Sequence, residues 1–128
     1  MRSVAATIRA TERILPGRAA RKGTIDPRWQ AIIDVGEFAP SHPEEVWPFV
    51  AKWGRHRSID LRTAIATCVL EHLLEYHFRR IFPRAADLAR INRNFASTLS
   101  MCWLLGQAKR PANTQAFVDL VRELRHAI

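Results

Sequence analysis

Residues 60–77 read DLRTAIATCVLEHLLEYH, and apolar side chains occupy most of the circumference of the helix that this segment would form. Thr67, Glu71 and Glu75 define its polar arc. At about 100° per residue, a polar arc this narrow predicts a helix that is packed on more than one side. We therefore expect residues 60–77 to form the central helix of the fold.

Shorter helices are predicted on both sides of the central helix. Asp26 followed by Pro27 is typical of a helix start, and the Ser-x-x-Glu spacing of Ser41 and Glu44 matches a capping box. Apolar residues then recur at helical spacing, which predicts helices over residues 27–39, 42–53, 94–108 and 113–127, with a further segment over residues 79–91 between them. No segment alternates apolar and polar residues with period two, so the fold class is all-α with no strands.

An internal match relates two parts of the chain at an offset of 35 residues. It aligns Val46-Trp47-Pro48 with Ile81-Phe82-Pro83, and residues 68–70 with residues 103–105. A unit of this length is typical of helix-pair repeats, in which a proline bends the first helix of each pair.

The segment Asp60-Leu61-Arg62-Thr63-Ala64-Ile65-Ala66, preceded by Pro48, resembles a HEAT repeat. The resemblance covers about residues 26 to 127. It implies a short right-handed superhelical stack of helix pairs, in which Asp60 and Arg62 form buried polar contacts between repeats. The second unit departs from the pattern, because Phe95 and Ser97 stand at the matching positions. We predict a HEAT-like all-α domain over residues 24–128, preceded by a basic arm over residues 1–23.

Composition limits the kind of protein that this chain can be. Its 128 residues, 48% of them hydrophobic, suffice for one compact domain. The apolar stretches fall short of the roughly 20 residues needed to cross a bilayer. Cys68 and Cys102 lie within apolar helical patterns, which favours buried free thiols in a reducing, cytoplasmic location. We expect no cofactor.

The net charge of +8 is concentrated in the basic arm, residues 1–23. This arm has one acidic residue, Glu12, and a balance of +5; its basic residues are Arg2, Arg9, Arg13, Arg18, Arg21 and Lys22. Such a segment suits a phosphate-binding arm, a membrane-surface or partner-binding helix, or a targeting presequence. An unordered terminus is an equally good interpretation.

Two further arginine clusters occur in the body of the chain. Arg55 and Arg57 flank His56, and Arg79, Arg80 and Arg84 form the second cluster. Nucleic-acid binding would require both clusters on one surface. Alternatively, because Arg79 and Arg80 align with Glu44 and Glu45 in the repeat, the two rows would pair with each other.

The four tryptophans provide candidate stacking surfaces. Trp29, Trp53 and Trp103 lie at apolar positions of helical patterns, where an indole is ordinarily part of the core. Trp47 lies off the apolar stripe of its helix, so it is the tryptophan that we predict to contact a nucleic acid or a partner.

Residues 71–77, EHLLEYH, are the segment richest in ionisable groups. Glu71 and Glu75 share a helix face, but His72 lies about 100° away, and no second Glu-x-x-His supplies ligands. We therefore predict no metal site, with both glutamates in solvent and His72 in the core.

Ser41-His42-Pro43-Glu44-Glu45-Val46 followed by Trp53 is similar to segments of the HEAT-like bacterial DNA alkylation-repair proteins. That resemblance implies an alkylpurine DNA glycosylase ancestry, although no tryptophan and aspartate pair matches a catalytic site. With no phosphate-binding loop or nucleophile elbow, we favour a non-catalytic binding module for a protein partner or a nucleic-acid backbone. A reduced relative of the glycosylases is the alternative.

Overall fold

The computed structural model describes residues 3–17, 20–21 and 23–126, and all regular structure in these ranges is helical. The prediction of an all-α fold without strands is confirmed for them. The helices are α1 Val4–Ile14, α2 Pro27–Gly36, α3 Pro43–Trp53, α4 Ile59–Ile65, α5 Glu71–Ile91, α6 Arg93–Ser100 and α7 Pro111–His126, with a π-helical turn at Ala66–Leu70 and a 3₁₀ turn at Gly106–Lys109.

Short polar side chains start most of these helices. Asp26 accepts a hydrogen bond from the Arg28 backbone N–H at 2.9 Å, and Asn92 accepts one from Phe95 at 2.9 Å. The predicted capping box does not form. Instead, α3 follows His42, which makes no capping hydrogen bond, and the Ser41 hydroxyl lies 2.7 Å from the His42 ring nitrogen Nδ1.

The central helix runs through α4, the π-helical turn and the first part of α5. Its interior position is confirmed, because Leu70, Leu73 and Leu74 are fully buried. α2 contacts the π-helical turn at Gly36, where an added Cβ would overlap the carbonyl oxygen of Cys68. A glycine is required here because the two backbones approach so closely.

The central helix ends where the sequence indicates, at His77. This residue has non-helical dihedral angles (φ −140°, ψ 45°), and the chain then resumes a helical path. Gln107 bridges the bend: its amide nitrogen donates to the Tyr76 carbonyl at 2.7 Å, and its amide oxygen accepts from the Phe78 N–H at 3.0 Å. The bend therefore leaves neither of these backbone groups without a hydrogen bond.

The predicted helix over residues 94–108 is wrong beyond Ser100, where α6 ends. The chain continues without regular structure to Leu105, which is extended, and Gly106, which has a φ of +51°. An added Cβ at Gly106 would lie 2.6 Å from Glu75 Cγ. The helix ends because this segment turns to pack on α5.

Helices that are two apart in the chain pack side by side. α1 contacts α3, α3 contacts α5 and α5 contacts α7, while α2 contacts α4 and α4 contacts α6. The rings of Phe82 and Phe117 lie 6.4 Å apart at the contact between α5 and α7. The core between these helices includes Ile32, Ile65 and Phe95, all fully buried.

α1 is part of the same core, although it lies within the predicted arm. It packs on α2 and α3, and Leu15 at its end is only 1% exposed. The Glu12 carboxylate accepts from the Trp53 indole N–H at 2.8 Å and from Lys52 Nζ at 3.0 Å. Residue 23 is therefore not a packing boundary.

None of the helices in the described ranges combines the length and apolar character that a bilayer crossing requires.

Candidate functional site

The predicted arginine clusters lie at opposite ends of α3. Near its first turn, Glu44 accepts two hydrogen bonds from Arg84, at 2.8 and 3.1 Å, and Arg80 lies 3.7 Å away. These hydrogen bonds hold the pKa of the Glu44 carboxyl below its ordinary value. Arg55 and Arg57 follow the other end of the helix. The eleven residues of α3 span about 16 Å, which is roughly the distance between the two clusters along this helix.

The cluster after α3 carries only its two arginines as fixed charges. Burial, together with the nearby charge of Arg57, lowers the pKa of His56, so this imidazole is neutral at physiological pH. Arg55 Nε donates to the Ala51 carbonyl at 2.8 Å. The Arg57 side chain is exposed.

Arg79 and Arg80 line a shallow cavity of about 450 Å³ with Tyr76, His77 and Gln107. Arg79 is exposed, and it makes no ion pair with another residue of the described ranges. Of the second cluster, Arg79 therefore has the side chain most available for an anion.

Arg9 and Arg13 are exposed on α1, and Arg21 is exposed in the segment before α2. The other predicted arm residues, Arg2, Arg18 and Lys22, lie outside the described residues.

Asp60 and Arg62, the two polar residues of the HEAT resemblance, bind other groups and not each other. Buried Arg62 donates to the backbone carbonyls of His56 at 3.0 Å and Arg57 at 2.9 Å. Asp60 is half exposed and pairs at 3.1 Å with Arg28, which also binds Asp26 at 3.0 Å. Arg62 therefore shapes the turn between α3 and α4, while Asp60 ties α4 to α2.

Of the four tryptophans, Trp103 differs most from the sequence-based expectation. Trp53 is buried, and Trp29 is partly buried and donates to Asp60 at 3.3 Å. Trp47 is partly buried against Phe95, in an edge-to-face contact at 5.9 Å. Trp103, which was expected in the core, is 72% exposed. Because α6 ends at Ser100, the periodic pattern that assigned Trp103 to the core does not apply to it.

Trp103 borders a surface groove of about 770 Å³. One wall is the segment after α6, and the other is the outer side of α7. We call this the Trp103 groove; its lining residues are Ser100, Met101, Cys102, Trp103, Leu104, Phe117, Val118, Val121, Arg122 and Arg125. The sequence contains one signal for it: Val118 is apolar but lies off the core-facing stripe of Phe117, Leu120 and Leu124.

Glu71 fixes the wall of the groove that carries Trp103. Its carboxylate accepts the Trp103 backbone N–H at 3.1 Å. The predicted solvated position of Glu71 is wrong, because the residue is only 7% exposed, and this burial raises its pKa. His72, expected in the core, is partly exposed, and its Nδ1 lies 2.9 Å from Glu75 Oε1.

A smaller groove of about 340 Å³ contains His72 and Tyr76 beside Thr67 and Cys68. Burial raises the pKa of the Cys68 thiol, so it is protonated at neutral pH and is a weak nucleophile. Within the described ranges, no three histidine, cysteine or acidic side chains converge to hold a metal ion.

These surfaces can bind an apolar side chain or an anion. The Trp103 groove combines an exposed indole, an apolar lining and two arginines, which is typical of an interaction surface. In comparisons with known proteins, no family model, no curated protein and no solved structure matches this chain.

Proposed function

We propose that this protein is a non-catalytic helical binding module that recognises a protein partner through the Trp103 groove. The observation that carries the proposal is the 72% exposure of Trp103 beside an apolar groove of about 770 Å³. Trp and Arg are the residues that most often dominate the binding energy of protein interfaces. The hydrogen bond between Glu71 and the Trp103 N–H fixes the backbone that carries the indole, so less of this segment has to be ordered on binding.

We also infer that the helices form a short HEAT-like stack. Its support is the packing of helices two apart: α1, α3, α5 and α7 make one row, and α2, α4 and α6 make the other. Stacks of this kind bind ligands along their helix rows and at their ends.

Crosslinking tests the proposed function. A photoreactive amino acid at Val118, which lies in the groove and is 38% exposed, is expected to form one discrete adduct in an extract of the cells that make the protein. The same amino acid at Ile33, which is 39% exposed on α2, is the matched control.

Trp103→Ser is expected to abolish the adduct at position 118, while Ile59→Ser, a comparable change at an exposed site on α4, leaves it intact. Equal adducts at positions 118 and 33, or an adduct that survives Trp103→Ser, would contradict the proposal.

A second candidate function is recognition of a nucleic-acid backbone. It is favoured by the net charge of +8 and by exposed Arg57 and Arg79, which make no ion pair with another described residue. Against it, Glu44 engages Arg80 and Arg84, and α3 separates the two clusters.

Salt dependence tests this second candidate. Affinity for labelled duplex or single-stranded DNA should fall steeply from about 50 to 200 mM salt if phosphates are contacted. Arg57→Gln with Arg79→Gln should reduce both the affinity and the salt slope, and Arg9→Gln with Arg13→Gln tests α1 in the same way. Affinity that is insensitive to salt would exclude phosphate recognition.

The glycosylase alternative has less support from the side-chain contacts. Trp29 and Trp53 each use the indole N–H to bind a carboxylate, and Arg28 and Lys52 pair with those carboxylates. Release of a methylated base from an alkylated duplex would be required to revive it.

A further inference from the structure

The outer side of α7 carries a stripe of side chains of which Val118, Arg122 and Arg125 are exposed and Val121 is half-buried. Val118, Val121, Arg122 and Arg125 stand at the i, i+3, i+4, i+7 spacing of one helix face, and all four line the Trp103 groove. Phe117 and Leu120 of α7 are buried, and Phe117 also lines the groove. The groove-lining stripe of α7 therefore adjoins its buried residues.

The packing of the other helices indicates the shape of that ligand. α1 packs against α2, α3 packs against α4, and α5 packs against α6. The groove between α7 and the segment after α6 is open to a helix that packs in the same way. An occupant that continues this pattern is a helix with apolar side chains at i, i+3, i+4 and i+7.

The charges indicate what the ligand carries. Arg122 and Arg125 line the groove without an acidic residue among the other lining side chains. The acidic residues of α7 are engaged elsewhere: Asp119 accepts from Gln115 at 2.8 Å, and Glu123 binds Arg90 at 2.8 Å. Neither groove arginine makes an ion pair with another described residue.

We propose that the Trp103 groove binds an acidic amphipathic helix of a partner protein, with its apolar face against Trp103 and Val118 and its carboxylates beside Arg122 and Arg125. This inference rests on the proposed function and adds the chemistry of the partner. A second copy of the chain is disfavoured, since a symmetric contact across this groove would oppose arginines to arginines in a protein of net charge +8.

The test uses two stapled helical peptides of about 16 residues, because shorter isolated helices are marginal in water. Both carry leucines at i, i+3, i+4 and i+7. One has flanking glutamates and the other has lysines at the same positions. Fluorescence anisotropy of the labelled peptides measures their affinity for the full chain, and far-UV circular dichroism confirms that each variant is folded.

We expect the glutamate peptide to bind about tenfold more tightly than the lysine peptide, because like charges across an interface are unfavourable. Arg122→Glu with Arg125→Glu should reverse this preference. The matched control is Arg9→Glu with Arg13→Glu, which changes the net charge equally on exposed positions of α1 and should leave the preference intact. Trp103→Ser should weaken both peptides.

Equal affinity for the two peptides, or a reversal that the α1 variant also produces, would overturn the charge complementarity. Concentration-dependent dimerisation that Trp103→Ser abolishes would overturn the partner assignment, as would displacement of the glutamate peptide by oligothymidine. A crosslinked adduct at Val118 without binding of the glutamate peptide would refute this inference and leave the proposed function standing. Absence of both the adduct and the binding of the glutamate peptide would refute both this inference and the proposed function.

Discussion

The carboxylate of Glu71 accepts the backbone N–H of Trp103 at 3.1 Å, across 32 residues of chain. This hydrogen bond joins the central helix to the irregular segment that follows α6. It satisfies a backbone donor at the point where the helix has ended, and it presents the Trp103 indole to solvent. The groove therefore depends on a side chain that lies beneath it.

Replacing Glu71 should separate the role of this hydrogen bond from the cost of burying a carboxyl group. Glu71→Ala removes the acceptor and should lower the free energy of unfolding by about 1 to 3 kcal/mol. Glu71→Gln keeps an acceptor without an ionisable group and should leave stability at pH 7 unchanged or raise it. Urea unfolding measures both effects, and Glu37→Gln, at an exposed glutamate, is the control. Equal losses of unfolding free energy in Glu71→Ala and Glu37→Gln would contradict a stabilising hydrogen bond between Glu71 and Trp103.

The pH dependence of stability should carry the signature of Glu71. Burial raises its pKa above the ordinary value of 4.5, although the Trp103 N–H partly opposes the shift. The folded protein therefore retains this proton to a higher pH than the unfolded chain does. The favourable contribution of this retained proton to the free energy of unfolding is complete below pH 4.5. It is lost as the pH rises through the folded-state pKa of Glu71. The difference in unfolding free energy between wild type and Glu71→Gln should follow that curve; a difference independent of pH would refute the assignment.

Two adjacent residues test whether α1 is docked on the body. Leu15 is 1% exposed and Ile14 is 40% exposed. Leu15→Ala should lower the free energy of unfolding by about 2 to 4 kcal/mol, whereas Ile14→Ala should cost less than about 1 kcal/mol. Chemical denaturation of both variants gives the comparison. Similar small losses would mean that α1 is not part of the cooperative unit.

Gly36→Ala should destabilise the contact between α2 and the central helix. The new methyl would overlap the Cys68 carbonyl oxygen, so the helices would have to separate, at a cost of about 1 to 3 kcal/mol. Gly23→Ala is the control: its φ of +88° is strained for alanine, but no atom lies within 4 Å of the new methyl. Thermal unfolding should show the larger loss at Gly36, and the reverse order would refute the close packing.

Loss of the Arg28 side chain should cost more stability than loss of an exposed arginine. It is buried between Asp26 and Asp60, at 3.0 and 3.1 Å. Arg28→Ala leaves both carboxylates without this partner and should cost about 2 to 3 kcal/mol. The same substitution at exposed Arg110 should have little effect on the urea midpoint. Equal midpoints for the two variants would show that the network does not stabilise the fold.

Local patterns predict much of the fold correctly. The signals at Asp26 and Pro27 mark the start of α2, and the apolar stripe of residues 113–127 predicts α7. The end of the central helix at His77 also agrees with the sequence. These features depend on neighbouring residues, which is the information that periodicity and capping patterns contain.

The candidate site could not be predicted in the same way, because distant residues build it. The helical pattern of Phe95, Leu99 and Cys102 continues to Trp103, although α6 ends at Ser100. Trp103 instead donates its N–H to Glu71 of α5, and Gly106 lies against Glu75 of the same helix. Likewise, the repeat alignment matches Glu44 with Arg79, whereas in the structure Glu44 binds Arg84 and lies 3.7 Å from Arg80. Helix position predicts burial poorly where tertiary contacts end the helix.

The bend at His77 also sets an order for chain assembly. The two backbone groups that it frees from the helical pattern are bound by Gln107, which the ribosome adds about thirty residues later. Until then water must solvate them. His77 also contacts an earlier residue, because its Nε2 lies 2.7 Å from the Pro40 carbonyl oxygen. The bend is therefore held by residues on both sides of it in the chain, and its contacts are complete only after Gln107 has been synthesised.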